Sequence, residues 1–301
     1  MKTAVVTGAN GFIGSNVCNT LAESGVKVFA LVNERSDNLR DSDNIVIIKT
    51  NSVHVEELSV RIHEDIDCFF HFAWEGAFNS SDPTIQAKNI SFTCSMVKVA
   101  KELNADRFVF SGTVMEYSFG KVVCSDDSQP GLRNLYYAAK QASNLMARTL
   151  CYNLGIKYVE AAIMNGYGPG SNRNSFMNSV LTKMLANEPI KLTKGLQDYD
   201  FIYITDLANA IILLGEKGKA NCCYYVGSDT PRRIRDYVES MKSIVGSSSE
   251  LLFGAIEDSP VGLDVTQFDI GRIYSELGFR QTVDLAEGVA RTVEWLKLLG
   301  S

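Results

Sequence analysis

Ten residues near the start of the chain, Val5-Val6-Thr7-Gly8-Ala9-Asn10-Gly11-Phe12-Ile13-Gly14, constrain the fold more than any other stretch. The apolar run from Thr3 to Val6 reads as a buried strand, the glycines as a tight turn, and the amphipathic segment from Phe12 to about Glu23 as a helix. Each glycine has its own physical use. Gly8 lets the chain turn sharply, Gly11 lets the backbone approach a bound pyrophosphate, and Gly14 lets helix and strand pack closely. The N–H groups that open such a helix have no intrahelical partner and can hold an anion. Glycines between a strand and a helix are common without any ligand, so the spacing alone is weak. Here a second apolar segment, Val26 to Val32, follows Gly25 and completes a strand-helix-strand unit. That context predicts a dinucleotide site on Gly8, Asn10, Gly11, Phe12, Ile13 and Gly14.

The same rhythm continues. Segments 3–6, 26–32, 45–49, 67–73, 107–111 and 156–163 read as strands, and 12–24, 54–63, 84–104 and 134–154 as helices. Near-continuous apolar strands separated by helices predict an α/β fold, a doubly wound parallel sheet covered on both faces. Beyond about residue 165 the pattern changes to loops rich in Gly, Asn and Ser, short strands, and helices near 175–187, 205–215, 231–244 and 284–298. A dinucleotide-binding domain over 1–165, with part of 190–215 returning to it, and a smaller α/β substrate lobe over 166–301 are the expected division.

Bulk properties exclude several classes. A net charge of −6 over 301 residues, without a cluster of Lys and Arg, argues against nucleic acid as a partner. Seven cysteines lie scattered without CxxC spacing, which predicts free thiols in a reducing cytoplasm, and no metal site is expected. The chain enters its first strand directly, leaving no room for an export signal, and it has no run of eighteen apolar residues to span a membrane.

The end of the second strand bears on cofactor choice. A fold that binds NAD usually places an acid about 20 residues past the glycine turn, on the ribose 2′-hydroxyl. Here Val32 stands there, followed by Asn33-Glu34-Arg35-Ser36. With Asn33, Arg35 and Ser36 at hand for a 2′-phosphate, NADP(H) is favoured over NAD(H), although Glu34 remains available as the acid. Asn51 and Ser52 suit an adenine edge or, equally, a helix cap. At the carboxyl end of the fourth strand, Phe72, Ala73, Trp74 and Glu75 border the ligand crevice. His71 is read as a packed, hydrogen-bonded residue, and Trp74 and Glu75 as the ones that touch substrate, with a plug between the lobes as the plainer role for Trp74.

Chemistry concentrates further on. Ser111-Gly112-Thr113 is expected just beyond the fifth strand, and Tyr136-Tyr137-Ala138-Ala139-Lys140 opens the next helix. A spacing of four puts Tyr136 and Lys140 on one helix face, whereas Tyr137 points about 100° away. A tyrosine with its ordinary pKa of about 10 shuttles protons poorly at neutral pH. A nearby ammonium, together with an oxidised nicotinamide, favours the phenolate. Tyr136 then exchanges a proton with a carbinol oxygen, Thr113 bonds that oxygen, and Lys140 lowers the phenol's pKa and holds the ribose. Ser111 completes this part of the cofactor site.

In this order the motifs resemble the extended short-chain dehydrogenase/reductase family, in its nucleotide-sugar epimerase/dehydratase/reductase branch. The resemblance covers nearly the whole chain and includes His71-Phe72-Ala73, Asn89, Phe108 to Thr113 with Tyr117, Asn165-Gly166-Tyr167-Gly168-Pro169-Gly170, Asp200 to Asp206, and the closing Leu277-Gly278-Phe279 with Trp295. It implies a Rossmann domain for NAD(P), with Asn89 near the cofactor, and a C-terminal lobe gripping a nucleoside-diphosphate sugar. Trp74, Glu75, Thr113, Met115, Glu116, Asn165, Arg173, Phe176, Tyr199 and Arg232 are the residues expected on that substrate. It also implies a homodimer through helices 84–104 and 134–154, where Ala138, Ala142, Leu145 and Met146 suit a seam and equally a plain core stripe. Two departures bear on the reaction. Val114 and Met115 stand where dehydratases of the family carry an acid pair, and Glu116 comes one position too late. Ala162 and Tyr199 replace arginines that relatives use on phosphates, leaving Arg173, Arg232, Arg233 and Arg272 as substitutes. The expected activity is reduction of a 4-keto-deoxysugar, with 4-epimerisation on tightly held NAD as the alternative and non-catalytic NAD(P) sensing third.

Overall fold

The computed structural model describes residues 1–50, 57–77, 81–117, 119, 131–132, 134–258 and 263–300. Asn51 and Ser52 lie outside the described residues. Six strands of the main sheet come in order: β1 (Thr3–Thr7), β2 (Lys27–Val32), β3 (Ile45–Lys49), β4 (Cys68–His71), β5 (Arg107–Thr113) and β6 (Lys157–Ile163). A seventh, Cys222–Val226, adds to β6, and the spatial order is seventh strand, β6, β5, β4, β1, β2, β3, all pairs parallel. This is the doubly wound sheet the apolar runs predicted. Cys222-Cys223-Tyr224-Tyr225-Val226 is an equally apolar run that was not read as part of it. One boundary also moves: Ser111, Gly112 and Thr113 lie within β5, because Thr113 still pairs with Ile163 of β6.

Alternation along the strands builds a core on each face. Ala4 and Val6 of β1 point to one side, packing with Val17, Cys18 and Leu21 of α1 (Phe12–Glu23) and with Leu207, Ile211 and Leu214 of the helix Ile204–Lys217. Val5 points to the other, with Phe69, Phe108 and Phe110. After the short α2 (Leu58–Arg61), α3 (Pro83–Glu102) and α4 (Asn134–Leu154) cover that second face through Met96, Val97, Ala100, Ala147 and Cys151. Phe69 and Phe108 stack at 5.3 Å with 11° between their planes. Each such ring, fully buried, contributes about 2–3 kcal/mol. Asp82 starts α3 by accepting from the N–H groups of Thr84 and Ile85, ahead of Pro83 in the first turn.

Beyond β6 the chain forms short pairs: Asn165–Tyr167 with Phe201–Tyr203, Asp198–Tyr199 with Arg232–Arg233, and Ile190–Leu192 with Leu251–Phe253. Asp200, wholly buried, ties them together. Its carboxylate accepts from Phe201 N, Ser228 N, Ser228 Oγ, Tyr225 OH and Tyr237 OH at 2.6–3.0 Å. A buried carboxylate is tolerable only when so fully satisfied. Asp206 likewise takes Thr282 N, Thr282 Oγ1 and Val283 N, anchoring the approach to the last helix, Leu285–Gly300. Among the described residues, no helix is long and apolar enough to cross a membrane.

Candidate active site

The glycine turn is built as its spacing demands. Gly8 has φ +64°, and a Cβ there would lie 2.8 Å from Ala73 N, so strand β4 closes directly over it. At Gly14 a Cβ would meet the Gly8 carbonyl oxygen at 2.2 Å, which only glycine avoids. Gly11 N donates to Gly8 O at 2.9 Å, and Gly11 caps α1 without any side-chain hydrogen bond. The opening N–H groups of α1 therefore point out unclaimed by a side chain, while Phe12 and Ile13 pack on the core.

Thr7 joins β1 to the end of β4. Its Oγ1 accepts from the N–H groups of Phe72 and Ala73, both at 3.1 Å, and lies 2.9 Å from His71 Nδ1. With both lone pairs taken, the hydroxyl proton goes to Nδ1, and Nε2–H donates to Thr93 Oγ1 at 3.0 Å. Burial, then the charge of Lys140, depress the His71 pKa to about 3. His71 is thus the neutral, packed histidine that its context suggested.

Next in the chain, Trp74 and Glu75 line a groove of about 390 Å³ with Gly8, Asn33, Ala73 and Asn89. Asn89 holds Glu75 at both backbone groups, accepting from its N–H at 2.9 Å and donating to its carbonyl at 2.8 Å. Trp74 Nε1 donates to Gln86 Oε1 at 3.1 Å. Two residues beyond Asn33, Arg35 is paired through two hydrogen bonds with Asp37, which also accepts from Asn10 Nδ2 at 3.1 Å. Arg35 and Asn10 together hold the Asp37 carboxyl down at about 2. The neighbour Ser36 is half-buried and accepts from Leu39 N through its carbonyl.

Lys140 is buried, and its Nζ donates to Ser111 O at 2.7 Å. The indole of Trp74 lies over that Nζ at 4.1 Å and meets the Tyr136 ring edge-on at 5.8 Å. Tyr136 and Lys140 therefore lie on one helix face, as their spacing implies, and share one aromatic neighbour there. Burial, with Glu116 and Tyr137 nearby, pushes the Tyr136 phenol above its ordinary value. The lowering expected of this phenol is not produced by the protein's own groups. Burial brings Lys140 down to about 8, against the opposing pull of Glu116.

Thr113 opens onto a cavity of about 570 Å³, together with Val114, Met115, Tyr137, Asn165 and Tyr199. Ile163, Met164, Leu196 and Leu263 complete an apolar wall, and Gln197, Asp198 and Asp258 supply the polar part. No lysine or arginine is among the described residues that line it. A second cavity of about 510 Å³ shares Gln197 and Tyr199 and adds Phe176, Lys183 and Lys191. The other expected substrate residues lie elsewhere. Arg232 borders a separate pocket with Ser228 and Tyr237, and Arg173 donates to Leu299 O at 3.0 Å on the surface. Glu116 is turned into the interior, where Thr113 N and Asn144 Nδ2 bond its carboxylate at 2.7 and 3.1 Å. Glu160, buried on β6 and bonded by Tyr117 OH, escaped sequence reasoning altogether. Its one signal was a lone acid in the middle of an apolar strand.

A family model described as the NAD dependent epimerase/dehydratase family matches residues 4–227. CDP-abequose synthase of Salmonella typhimurium is 26% identical, covering 97% of this chain and 97% of its own. The dTDP-6-deoxy-L-talose 4-dehydrogenase (NAD(+)) of Aggregatibacter actinomycetemcomitans is 27% identical over 78% of this chain and 87% of its own. Among solved structures, UDP-N-acetylglucosamine 4-epimerase from Methanobrevibacter ruminantium M1, in complex with UDP-N-acetylmuramic acid, superposes with a TM-score of 0.81 at 23% identity, covering 99% of each chain. That last likeness is one of fold.

Proposed function

Because the chain belongs to the NAD-dependent epimerase/dehydratase family, of the extended short-chain dehydrogenase/reductase type, we propose that it reduces the 4-keto group of a nucleotide-linked 6-deoxysugar. The observation that carries this reading is the wall beside Thr113. Val114, Met115, Ile163, Met164, Leu196 and Leu263 present apolar surface to a sugar, which suits a 6-methyl group. The absence of an acid at positions 114 and 115 argues against 4,6-dehydration. The names of two relatives, a 6-deoxy-talose 4-dehydrogenase and an abequose synthase, support the same substrate class.

The residues present fit the cofactor: Gly11 caps α1 with no side chain to claim its opening N–H groups, and the groove of Gly8, Asn33, Ala73 and Trp74 lies alongside. Gly8, Asn10, Gly11 and the opening turn of α1 would hold its pyrophosphate, and Lys140 the nicotinamide ribose. When bound, the nicotinamide supplies the hydride. Tyr136 gives its phenolic proton to the carbonyl oxygen as the carbon is reduced, and Thr113 Oγ1 donates to the same oxygen. A phenol that its surroundings keep protonated is in the state this direction needs. Lys140 then stabilises the phenolate left behind. Tyr199 and Gln197 lead from the sugar cavity toward Lys183 and Lys191, where the diphosphate and base would lie.

The pairing of Arg35 with Asp37 neutralises the charge a 2′-phosphate would seek, so this reading takes NAD(H) in preference to the NADP(H) suggested by Arg35 and Ser36 alone. Leu145 and Met146 are exposed on α4, beside α3, and we assign them to a homodimer seam between these helices. Buried free thiols suit a reducing cytoplasm. The test is a panel of nucleotide 4-keto-6-deoxysugars and nucleotide hexoses with NADH or NADPH. Stoichiometric oxidation of the reduced cofactor, lost in Tyr136→Phe, is the expected result. Interconversion of C4 epimers without added cofactor would replace reduction by epimerisation, for which the same Thr/Tyr/Lys set suffices.

A further inference from the structure

Two carboxylates are buried beneath the proposed reaction centre, and the steps above use neither. Glu116 is 1% and Glu160 2% exposed. Glu116 Oε1 accepts from Thr113 N at 2.7 Å, and its Oε2 from Asn144 Nδ2 at 3.1 Å. Asn144 Oδ1 in turn accepts from Tyr158 OH at 2.7 Å, fixing the amide's orientation. Glu160 pairs in register with Phe110 and takes the Tyr117 hydroxyl at 2.9 and 2.8 Å. It lies so close under Gly112 that a Cβ there would meet its Oε1 at 2.9 Å. Both acids therefore press on the end of β5 that carries Thr113.

We propose that Glu116 is a positioning residue for the reaction, fixing Thr113 by its backbone and serving as the internal counter-charge that keeps Lys140 an ammonium. This rests on the reading of Thr113, Tyr136 and Lys140 given above. Asn144, which donates to Glu116, stands one turn beyond Lys140 on α4, so the carboxylate and the ammonium share one buried site, where an uncompensated charge is costly and the negative charge of Glu116 favours the Lys140 ammonium. The groups facing Glu116 are the Thr113 N–H, Lys140, Tyr136 and Asn144 from α4, Glu160 and Tyr158 from β6, and Cys223 of the seventh strand. Cys223 of the seventh strand and Arg148 of α4 act on Glu160. Burial, then the charge of Glu160, push Glu116 up to about 7, against Lys140, so its charge changes within the working pH range. The acid that comes one position late is thereby withdrawn from the sugar and put to a different use.

Glu116→Gln keeps the size and the acceptor for Thr113 N but removes the charge. At acid pH both side chains are neutral and the two enzymes should turn over alike. Above pH about 7 only the wild type is charged, and its kcat should exceed the variant's by about fivefold at pH about 8, rising toward about tenfold at higher pH, the equivalent of one pKa unit at Lys140. KM for the sugar should change little, since Glu116 does not line the cavity. Independently of any substrate, the Thr113 amide resonance of the wild-type protein should titrate with a midpoint near 7, and that step should vanish in Glu116→Gln. A pH-independent ratio of kcat, or a Thr113 amide that does not titrate, overturns the proposal. Tyr136→Phe separates the two ideas: if it remains active, the reading of the centre fails, and if it is dead while Glu116→Gln keeps the wild-type profile, only the role of Glu116 fails. The amide titration of the wild type decides the matter should the variant not fold.

Discussion

The ammonium of Lys140 sits 4.1 Å from the centre of the Trp74 ring, and the same indole stands edge-on to Tyr136. Trp74 is itself held in place, by Gln86 at its Nε1 and by the bonds of Thr7 and Asn89 to the residues on either side. It is therefore an ordered wall shared by both groups. A cation over an indole in a desolvated site gains about 1–2 kcal/mol, which offsets part of the cost of burying the Lys140 charge. Trp74→Leu should lower kcat about tenfold or more and move the Lys140 ionisation to lower pH, whereas Trp74→Phe should keep most of the activity. Equal pH–rate profiles for wild type and Trp74→Leu would remove Trp74 from this role.

The proposed preference for NAD(H) rests on a charge that is neutralised locally. Asp37, held at about 2 by Arg35 and Asn10, is ionised at every working pH and cancels the Arg35 charge. Asp37→Asn should free Arg35 for a 2′-phosphate and shift the ratio of binding constants toward NADPH by about tenfold. Arg35→Ala should do the opposite. Titration of each variant with NADH and NADPH, by fluorescence, measures both effects without the sugar. A ratio that does not move in either variant would mean that this loop does not contact the ribose.

His71 should be silent in the pH–rate profile. Held neutral with a pKa of about 3, it does not titrate between pH 5 and 8, and its ring resonances should stay fixed there. The stability consequence has a definite sign. A histidine whose folded pKa lies below its unfolded value binds protons in the unfolded chain first, so its contribution is present above the ordinary histidine range and is lost as pH falls toward about 3. His71→Phe would leave the Thr93 hydroxyl without its partner and deprive Thr7 of its acceptor, costing about 1–3 kcal/mol for each group left unsatisfied. Thermal melts at two pH values should show this loss in full at pH about 7 and reduced at pH about 4.

How far the chain can be read without coordinates depends on whether the physics is local. Strands β1, β2, β4, β5 and β6 are buried on both faces and therefore declare themselves as apolar runs. The glycine spacing and the Tyr136/Lys140 pair are equally local, because a turn and a helix fix their own geometry. The sharing of Trp74 by that pair is not, since it requires the end of β4 to meet the start of α4. The seventh strand is as apolar as the others and was missed because it lies beyond residue 165, in the stretch assigned to the smaller lobe, from which the chain returns to pair with β6. The side toward which Glu116 turns is decided by the path after β5 and by Asn144 on another element, neither of which leaves a mark at position 116. Asp200 stood out as part of a motif, but its donors come from three separated segments, which makes it a structural tie that spacing cannot reveal.

The two glycines of the opening turn should fail in different ways. A methyl at Gly14 would sit 2.2 Å from the Gly8 carbonyl oxygen and 2.9 Å from its carbon, both backbone atoms that cannot step aside without moving α1 off β1. Gly14→Ala should therefore destabilise the chain itself, by about 1–3 kcal/mol from overpacking, and lower its melting temperature with or without cofactor. At Gly11 a methyl would meet only the Gly8 oxygen, at 3.0 Å, and it would stand where the backbone must approach a pyrophosphate. Gly11→Ala should melt close to wild type when free but lose most of the stabilisation that saturating NADH gives the wild-type protein. Melts of both variants with and without NADH separate the packing glycine from the ligand glycine. Full stabilisation of Gly11→Ala by NADH would place the pyrophosphate elsewhere.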